Sequence, residues 1–323
     1  MIDVGDDRKD GHNENHFPTV RAGSVPPTPP VAVIRMTGNP AIHVGVDRTW
    51  RRAGAVEWAQ QEAALRHERL RAVHVIDDRL RRSPYWEPVV VDDAAMRLMK
   101  DVQEHLDCSG SPLDHDLELL VGPPGRLVAD NAADSTMLVV GRRGIGAFKR
   151  LLMGSTSEAA VAEARVPVVV VPDGWKPSDH AGPVAIAVNE SEGQQDAIDF
   201  AVTAAVERHV RLRLVHVWDM PTLYGLDDSV SDELEREWAR NALRQWEAVA
   251  KEWRSRYPGT YIEVDVRRGH PVEGVVTAAQ ECDAQLLVIR GHRHHRATSL
   301  LLGSVTRGVL QHATCPVGVV HAR

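Results

Sequence analysis

The sequence predicts an α/β protein built from two tandem domains, each an open five-stranded parallel sheet covered by helices. The 323 residues exceed the usual size of one domain. The chain also repeats itself, because "RHERLRAVHVID" at 66–77 returns as "RHVRLRLVHVWD" at 208–219. Short β-branched runs alternate with longer amphipathic stretches, a pattern typical of parallel strands joined by crossover helices.

The repeat sets the predicted domain boundaries. Near the ends of the copies, "LLMGSTS" at 151–157 matches "LLLGSVT" at 300–306. We therefore predict a first domain at 41–173, a linker at 174–183 and a second domain at 184–323. Residues 1–40 are charged and proline-rich, and we expect a disordered tail because this composition buries too little apolar surface to offset its ordering entropy.

Ten apolar, β-branched runs predict the strands. In the first domain they lie at 42–46, 70–75, 117–121, 137–140 and 168–171, and in the second at 184–188, 212–217, 262–266, 285–289 and 317–320. Helices fill the intervals, and the longest is predicted at 231–257 with one buried face formed by Leu234, Trp238, Leu243, Trp246 and Val249. Right-handed crossovers then place a ligand crevice at the carboxyl ends of the strands.

Composition excludes several classes of function. The formal charge of −7 disfavours a nucleic-acid partner, and no apolar run approaches the roughly 18 residues that a membrane helix needs. Cys108, Cys282 and Cys315 are widely spaced, so neither a disulfide framework nor a thiol zinc site is expected. The N-terminus has no basic start followed by an apolar segment, and we expect a cytoplasmic protein.

Glycines follow the predicted fourth strand at a distinctive spacing. Gly141, Gly144 and Gly154-Ser155 form a G-x2-G-x9-G-S pattern that precedes the helical stretch "STSEAAVAEA". The free N–H groups at the start of such a helix favour phosphate oxygens, so the pattern predicts a phosphate cradle. A flexible loop with a serine N-cap remains an alternative. The pattern is neither the GxGxxG fingerprint nor a P-loop.

Four motifs in order, "VGVD", "VHVID", the glycine pattern and "VPVVVV", resemble the universal stress protein family in its tandem form. The resemblance extends from Ile42 to His321 and implies a Rossmann-like, adenine nucleotide alpha hydrolase-like fold that binds ATP, or ADP or AMP, in some members with Mg²⁺. By motif position it implies the following site residues: Asp47 and Val75 at the adenine and ribose end, Val140, Gly141 and Gly144 along the loop, and Gly154, Ser155 and Thr156 at the phosphates. The other interpretation of Asp47 is a helix N-cap or turn former.

The second copy departs from this pattern. Asn189 stands for Asp47, Arg290 for Val140 and His294 for the middle glycine, and the spacing from Gly291 to Gly303 is one residue shorter. These changes predict a weaker or altered second site. Its candidate residues by position are Asn189, Val217, Gly291, Gly303, Ser304 and Val305. A retained but reshaped site, with Arg290, Arg293 and Arg296 pairing with phosphates, stays open.

Two clusters of side chains could bind a metal or phosphate, or could simply be solvated surface. His292, His294 and His295 lack the i, i+4 spacing that converges two ligands, and no metal site is predicted. The basic residues of the first loop either counter phosphate charge or form a solvated rim. They are Arg142, Arg143, Lys149 and Arg150.

Three functions are consistent with the sequence. The first is an adenine nucleotide-binding regulator that changes its contact with an unidentified protein partner when nucleotide binds. The second is a slow ATP hydrolase, disfavoured because phosphoryl transfer needs a positioned base and metal-binding carboxylates and only Glu158 adjoins the loop. The third is a nucleotide-free scaffold. The family resemblance implies pairing through the fifth strands, either in a homodimer or as a pseudo-dimer within one chain.

Overall fold

The computed structural model describes residues 41–79, 88–108, 113–143, 153–177, 182–190, 193–219, 228–291 and 302–322, without the side chains of 88–92 and 228–232. The predicted tail at 1–40, the middle glycine Gly144 and the histidine triplet at 292–295 therefore lie outside the described residues.

All ten predicted strands are present. In the first half they are β1 (Ala41–Gly45), β2 (Arg69–Asp77), β3 (His115–Gly122), β4 (Met137–Gly141) and β5 (Val168–Val171). In the second half they are β6 (Val184–Val188), β7 (Leu212–Trp218), β8 (Ile262–Arg268), β9 (Leu286–Gly291) and β10 (Val317–His321). The differences from prediction are confined to strand ends, where the ladder extends into polar residues such as Asp77 and Arg268.

Helices fill the intervals as predicted. In the first half they are α1 (Trp50–Ala53), α2 (Ala55–Arg66), α3 (Pro88–Cys108), α4 (Pro124–Asn131) and α5 (Ser155–Glu163). In the second half they are α6 (Gln195–Glu207), α7 (Asp228–Arg256), α8 (Pro271–Glu281) and α9 (Ser304–His312). Among the helices in the described part of the chain, none combines the length and the apolar composition required to cross a bilayer.

The strands form one continuous sheet in the order β3-β2-β1-β4-β5-β10-β9-β6-β7-β8. Within each half all pairs are parallel. β5 and β10 pair antiparallel, with Val168 opposite Val319 and Val169 opposite Gly318. The two predicted five-stranded sheets are thus joined through their fifth strands within one chain, and the apolar edge of each is covered by the other.

Both faces of the sheet are covered by helices. On β4, Met137 and Val139 pack in a cluster with α1, α2, α3, α6 and α7, whereas Leu138 and Val140 pack in a cluster with α4, α5, α8 and α9. Because strand side chains alternate between faces, buried runs such as β5 are apolar at every position. The result is a three-layer α/β/α arrangement.

The predicted buried face of α7 was partly wrong. Leu243 is 44% exposed, and the side of the helix that contacts the sheet carries Trp246, Ala250, Trp253 and Tyr257. These four residues follow the i, i+4, i+7, i+11 positions of one helical face. The prediction included Leu243 and left out Ala250, Trp253 and Tyr257, so it placed the buried stripe about one turn too early.

Contacts near the pseudo-twofold axis tie the halves together. Arg142, directly after β4, donates from Nη1 to the carbonyls of Gln311 (3.2 Å) and Ala313 (3.0 Å) at the carboxyl end of α9. A cation there is favourable for the helix dipole. Glu158 of α5 and Arg307 of α9 are joined at 2.6 Å, which links the first helix after the glycine loop to its counterpart in the other half.

Candidate functional site

A cavity of about 490 Å³ opens at the carboxyl ends of β1, β2 and β4. It brings together seven of the eight residues that the sequence implicates in the first domain: Asp47, Val75, Val140, Gly141, Gly154, Ser155 and Thr156. The eighth, Gly144, lies outside the described residues. The volume falls in the range of roughly 300–1,000 Å³ that small-molecule sites occupy.

The inner wall of this cavity is apolar. Val75 and Val140 are 8% and 4% exposed, and both belong to the core on the α4/α5 side of the sheet. The other large apolar wall residues are Val46, Trp50, Val56, Val73, Ile76, Leu98, Val128 and Met153. Such a wall suits a flat, weakly polar group because its burial releases water from apolar surface on both partners.

Asp47 fulfils the role of turn former that the sequence left open. Its Oδ1 accepts hydrogen bonds from the backbone N–H of Thr49 (2.7 Å) and from Thr49 Oγ1 (2.6 Å). These bonds fix the turn between β1 and α1, which starts at Trp50. The same carboxylate borders the cavity, so the turn also holds the orientation of the acidic group toward a ligand.

The start of α5 forms the opposite end of the cavity. Gly154 is the N-cap, and no side chain caps the helix. Ser157 Oγ donates to the carbonyl of Gly141 at 2.6 Å, and the N–H of Gly154 donates to the carbonyl of Arg142 at 2.9 Å. These bonds hold the first turn of α5 against the end of β4, with Ser155 and Thr156 exposed beside it. The helix end is thus positioned to receive an anion.

Charged residues on the rim were missed by the sequence interpretation. The missed residues are Arg48, Asp77 and Arg79, which line the cavity; Arg143 from the loop after β4, named in the sequence analysis, lines it too. Arg79 Nη2 lies 2.6 Å from Asp77 Oδ2, and this hydrogen bond holds the pKa of Asp77 below its usual value. Asp77 ends the quoted motif "VHVID", so its place at a strand end was the signal that could have identified it.

A histidine present in both copies forms a hydrogen bond from the second strand to the end of the first. His74 Nδ1–H donates to the carbonyl of Val46 at 2.8 Å, and His216 Nδ1–H donates to the carbonyl of Val188 at 3.2 Å. Burial lowers the pKa of both imidazoles, which are therefore neutral donors near pH 7. His74 also borders the cavity, so this bond shapes its floor. The histidines stand in both copies of the repeat but carried no functional interpretation there.

These histidines predict a stability loss on mild acidification. Burial lowers the pKa of His43, His74 and His216 in the folded state, whereas the unfolded chain titrates near about 6.5. Below that pH the unfolded state binds more protons, so stability is full above it and falls toward the folded-state pKa. We expect the thermal midpoint to drop between pH 7.5 and 5.5. The drop should be smaller in His74→Gln than in the exposed control His270→Gln, and equal drops would contradict this origin.

Strand register corrects the comparison of the two glycine loops. In the first half, Ile42 pairs with Leu70 on one side and Met137 on the other. In the second half, its counterpart Val184 pairs with Leu212 and Leu286 in the same way. The counterpart of Gly141 is therefore Arg290, and Val140 corresponds to Ile289. The prediction that Arg290 stands for Val140 was wrong by one residue.

With this correction, the difference in residue number between equivalent positions of the two copies is the same from β9 to α9. The interval from Arg290 to Gly303 equals that from Gly141 to Gly154, so the second loop is not shortened. The residue that replaces the middle glycine is then Arg293 rather than His294, both outside the described residues. The second copy has arginine at the positions of Gly141 and Gly144, and of the three motif glycines it retains only the one before the helix.

The replacement of glycine by Arg290 changes the crevice of the second half. A Cβ at Gly141 would lie 2.9 Å from the Cβ of Ala53, so glycine is needed for α1 to approach β4. In the second half, the Arg290 guanidinium lies 3.1 Å from the place that a Cβ of Gly193 would occupy. The crevice that is open beside Gly141 is thus flanked by a long cationic side chain in the other half.

The six second-domain candidates have the following contacts in the structure. Val217 packs against Gly274, since a Cβ added to Gly274 would lie 2.8 Å from the Val217 methyl groups. Gly291 packs against the His321 ring, since a Cβ added to Gly291 would lie 2.4 Å from His321 Cε1. The backbone N–H of Asn189 donates to Gln194 Oε1 at 3.3 Å. Gly303, Ser304 and the 42% exposed Val305 begin α9 without a side-chain cap. None of the six lines the cavity of the first domain.

Metal-binding side chains do not converge in the described ranges, where no group of three or more His, Cys, Asp or Glu residues is close enough to hold an ion. Glu158, the acidic residue expected beside the loop, forms its ion pair with Arg307 instead. Asp47 and Asp77 are the carboxylates among the described residues that line the cavity.

Comparison with protein families matches both halves of the chain. A family model described as the universal stress protein family matches residues 39–172 and again 181–321. A universal stress protein of Mycolicibacterium smegmatis is 32% identical over 295 residues, which cover 87% of this chain and 97% of the relative. One from Mycobacterium tuberculosis is 28% identical, covering 85% of this chain and 94% of its own length.

Solved structures share the fold. A universal stress protein from Archaeoglobus fulgidus superposes with a TM-score of 0.65 at 17% identity, covering 88% of this chain and 99% of its own. A Pseudomonas aeruginosa protein of unknown function gives a TM-score of 0.58 at 14% identity, covering 87% and 92%. At these identities, both bear on the fold alone.

Proposed function

This chain belongs to the universal stress protein family, and we propose that its first domain binds an adenine nucleotide, ATP or its diphosphate or monophosphate, in the cavity beside Asp47. The observation that carries the proposal is the convergence of an apolar wall, a carboxylate and an uncapped helix N-terminus in one cavity of about 490 Å³. These are the three chemical features that a base, a ribose and a phosphate chain require.

The phosphates belong at the start of α5. Its first N–H groups carry no side-chain cap, the hydroxyls of Ser155 and Thr156 are exposed beside them, and Arg143 supplies a cation from the loop after β4. Helix-end amides and arginine are favourable partners for phosphate oxygens. A regular N-terminal turn that is already fixed by Ser157 needs no reorganisation to accept the ligand.

The ribose and the base belong at the other end. The carboxylates of Asp47 and Asp77 border that end and accept hydrogen bonds from sugar hydroxyls, while Val75 and Val140 offer the apolar surface for the ring. The choice of adenine among the bases rests on the family resemblance. GTP serves as the comparison that tests this choice.

The described residues fit a binding site better than a catalytic one. Phosphoryl transfer requires a positioned base and, in most cases, carboxylates that hold magnesium. No three metal-binding side chains converge in the described ranges, so any Mg²⁺ would be held mainly by the nucleotide's own phosphates. Slow hydrolysis is the alternative enzymatic function, and no step is assigned to residues of this chain.

Regulation follows from the position of the site beside the joint between the halves. The loop residue Arg142 bonds to the carboxyl end of α9, and Glu158 in the first turn of α5 pairs with Arg307. A nucleotide that contacts Arg143 and the start of α5 would favour one arrangement of α9 and so change the surface offered to a protein partner in the cytoplasm. A nucleotide-free scaffold is the competing function.

A helix-end charge separates these possibilities. Ser155→Glu adds a carboxylate at the first position of α5, where it suits the helix dipole but repels phosphate. We expect ATP affinity to fall by about 100-fold or more with an unchanged thermal midpoint, because like charge in a phosphate site costs several kcal/mol. Calorimetric titration with ATP and GTP gives the affinity, the base preference and the stoichiometry.

The matched control is Ser304→Glu at the corresponding position of α9. We expect one ATP per wild-type chain and no loss in Ser304→Glu, because the second copy lacks both loop glycines. Equal loss in the two variants would contradict a single working site. No saturable binding to the wild type would leave the scaffold function ahead.

A further inference from the structure

A second cavity of about 790 Å³ adjoins the candidate nucleotide site. Its walls are α1, the turn into α2 and the segment that follows β5. We call it the cationic groove and define it by the charged residues that line it: Arg51, Arg52, Glu57, Arg143, Asp173 and Lys176.

The groove and the nucleotide site share a boundary. Ala53 and Arg143 line both cavities. The backbone at this boundary is closely packed, since a Cβ on Gly141 would lie 2.9 Å from the Cβ of Ala53. The two spaces are therefore neighbours at the end of β4, where the phosphate end of the proposed site begins.

The charge of the groove is positive although the whole chain carries −7. Four cations, Arg51, Arg52, Arg143 and Lys176, face two acids, Glu57 and Asp173. Arg143 Nε lies 3.3 Å from Asp173 Oδ2, and Glu57 lies 3.7 Å from His105. A concave surface with excess positive charge concentrates anions.

The groove is also held in shape by its backbone. Gly54 has φ +70°, and a Cβ there would lie 2.5 Å from the carbonyl oxygen of Trp175. The N–H of Gly174 donates to the carbonyl of Arg52 at 2.9 Å. These contacts fix the segment after β5 against the α1–α2 turn, so the cations are presented by a preformed wall rather than by loose loops.

We propose that the cationic groove receives phosphates beyond the third, so that the site prefers adenine nucleotides whose polyphosphate chain is longer than that of ATP. This inference rests on the proposed function. A chain that starts at the first turn of α5 passes Arg143 at the shared boundary and continues to Arg51, Arg52 and Lys176. Each added phosphate brings further charge to a surface that already carries an excess of cations.

The test compares ATP with adenosine 5′-tetraphosphate by calorimetric titration. In the wild type, we expect the tetraphosphate to bind about tenfold or more tightly than ATP, the gain of one charge-assisted contact. The variant Arg52→Gln/Lys176→Gln removes two groove cations that do not line the nucleotide site. It should bind ATP as the wild type does and lose most of the preference for the longer chain.

The matched control is Lys100→Gln/Arg126→Gln, two exposed cations that line neither cavity. It should retain the preference for the tetraphosphate. Equal wild-type affinities for the two nucleotides, or a preference that survives in the groove variant, would overturn this inference and leave ATP binding intact. Failure of both nucleotides to bind would overturn it together with the proposed function.

Discussion

Glu62→Ala is expected to lower the free energy of unfolding by about 3 kcal/mol or more, the range measured when one partner of a buried ion pair is removed. Glu62 on α2 is 2% exposed. Its Oε1 accepts from Arg66 Nε at 2.6 Å, and its Oε2 accepts from Arg208, the residue after α6. One carboxylate therefore bridges two arginines that stand at corresponding positions of the repeat.

The expected cost comes from the charges left behind. Arg66 and Arg208 are each 9% exposed, and Glu207 is the remaining acid of the cluster, 3.1 Å from Arg66. Burial alone would lower the pKa of Arg66, but Glu62 and Glu207 raise it, so the guanidinium stays charged. Without Glu62, two buried cations share one carboxylate whose own pKa is raised by burial. An uncompensated charge in this position is costly.

Urea denaturation followed by circular dichroism measures the effect. The control is Glu104→Ala, which breaks the exposed i, i+4 pair with Lys100 and should change stability by less than about 0.5 kcal/mol. A loss below about 1 kcal/mol for Glu62→Ala would mean that water or side-chain movement compensates the arginines. Because the cluster spans both halves, the variant also tests whether they unfold as one unit.

The fold could be predicted from the sequence because its signals are local and repeated. The run Val168–Val171 is apolar at every position, as a strand buried on both faces requires, and its bounds were predicted without error. The repeat then supplied the second domain. Leu243 shows the limit of the method, since spacing alone does not tell which of two adjacent helical stripes faces the sheet.

Site residues could be predicted where the residue type has one main structural role at that position, and were missed where it has several. Glycines after a strand mark a close approach, and Gly141 indeed lies against Ala53. Asp77 and His74 were missed because a polar residue at a strand end is also ordinary turn chemistry or core. The register of β9 was missed because the sequence interpretation aligned Gly291 with Gly141, glycine to glycine, and only the pairing with β6 shows that Arg290 holds the position of Gly141.

Gly141→Arg is the variant that converts the first site into the second, and we expect it to weaken ATP binding about 100-fold, close to 2.7 kcal/mol. Even a Cβ at this position meets Ala53 at 2.9 Å, so β4 and α1 must separate. The carbonyl of Gly141 holds Ser157 and thus the first turn of α5. Displacing that turn by about 1 Å is enough for such a loss, as in other preorganised sites.

The reciprocal variant, Arg290→Gly, separates a steric effect from an electrostatic one. If Arg290 only obstructs the second crevice, Gly141→Arg should lose ATP binding. Arg290→Gly should still bind one ATP per chain, because its second copy lacks the middle glycine as well. Tighter ATP binding by Gly141→Arg would contradict the obstruction and assign Arg290 to phosphate recognition in a reshaped second site. Thermal denaturation of both variants shows whether lost binding reflects the site or the fold, because a displaced α1 lowers the midpoint while an occupied crevice leaves it unchanged.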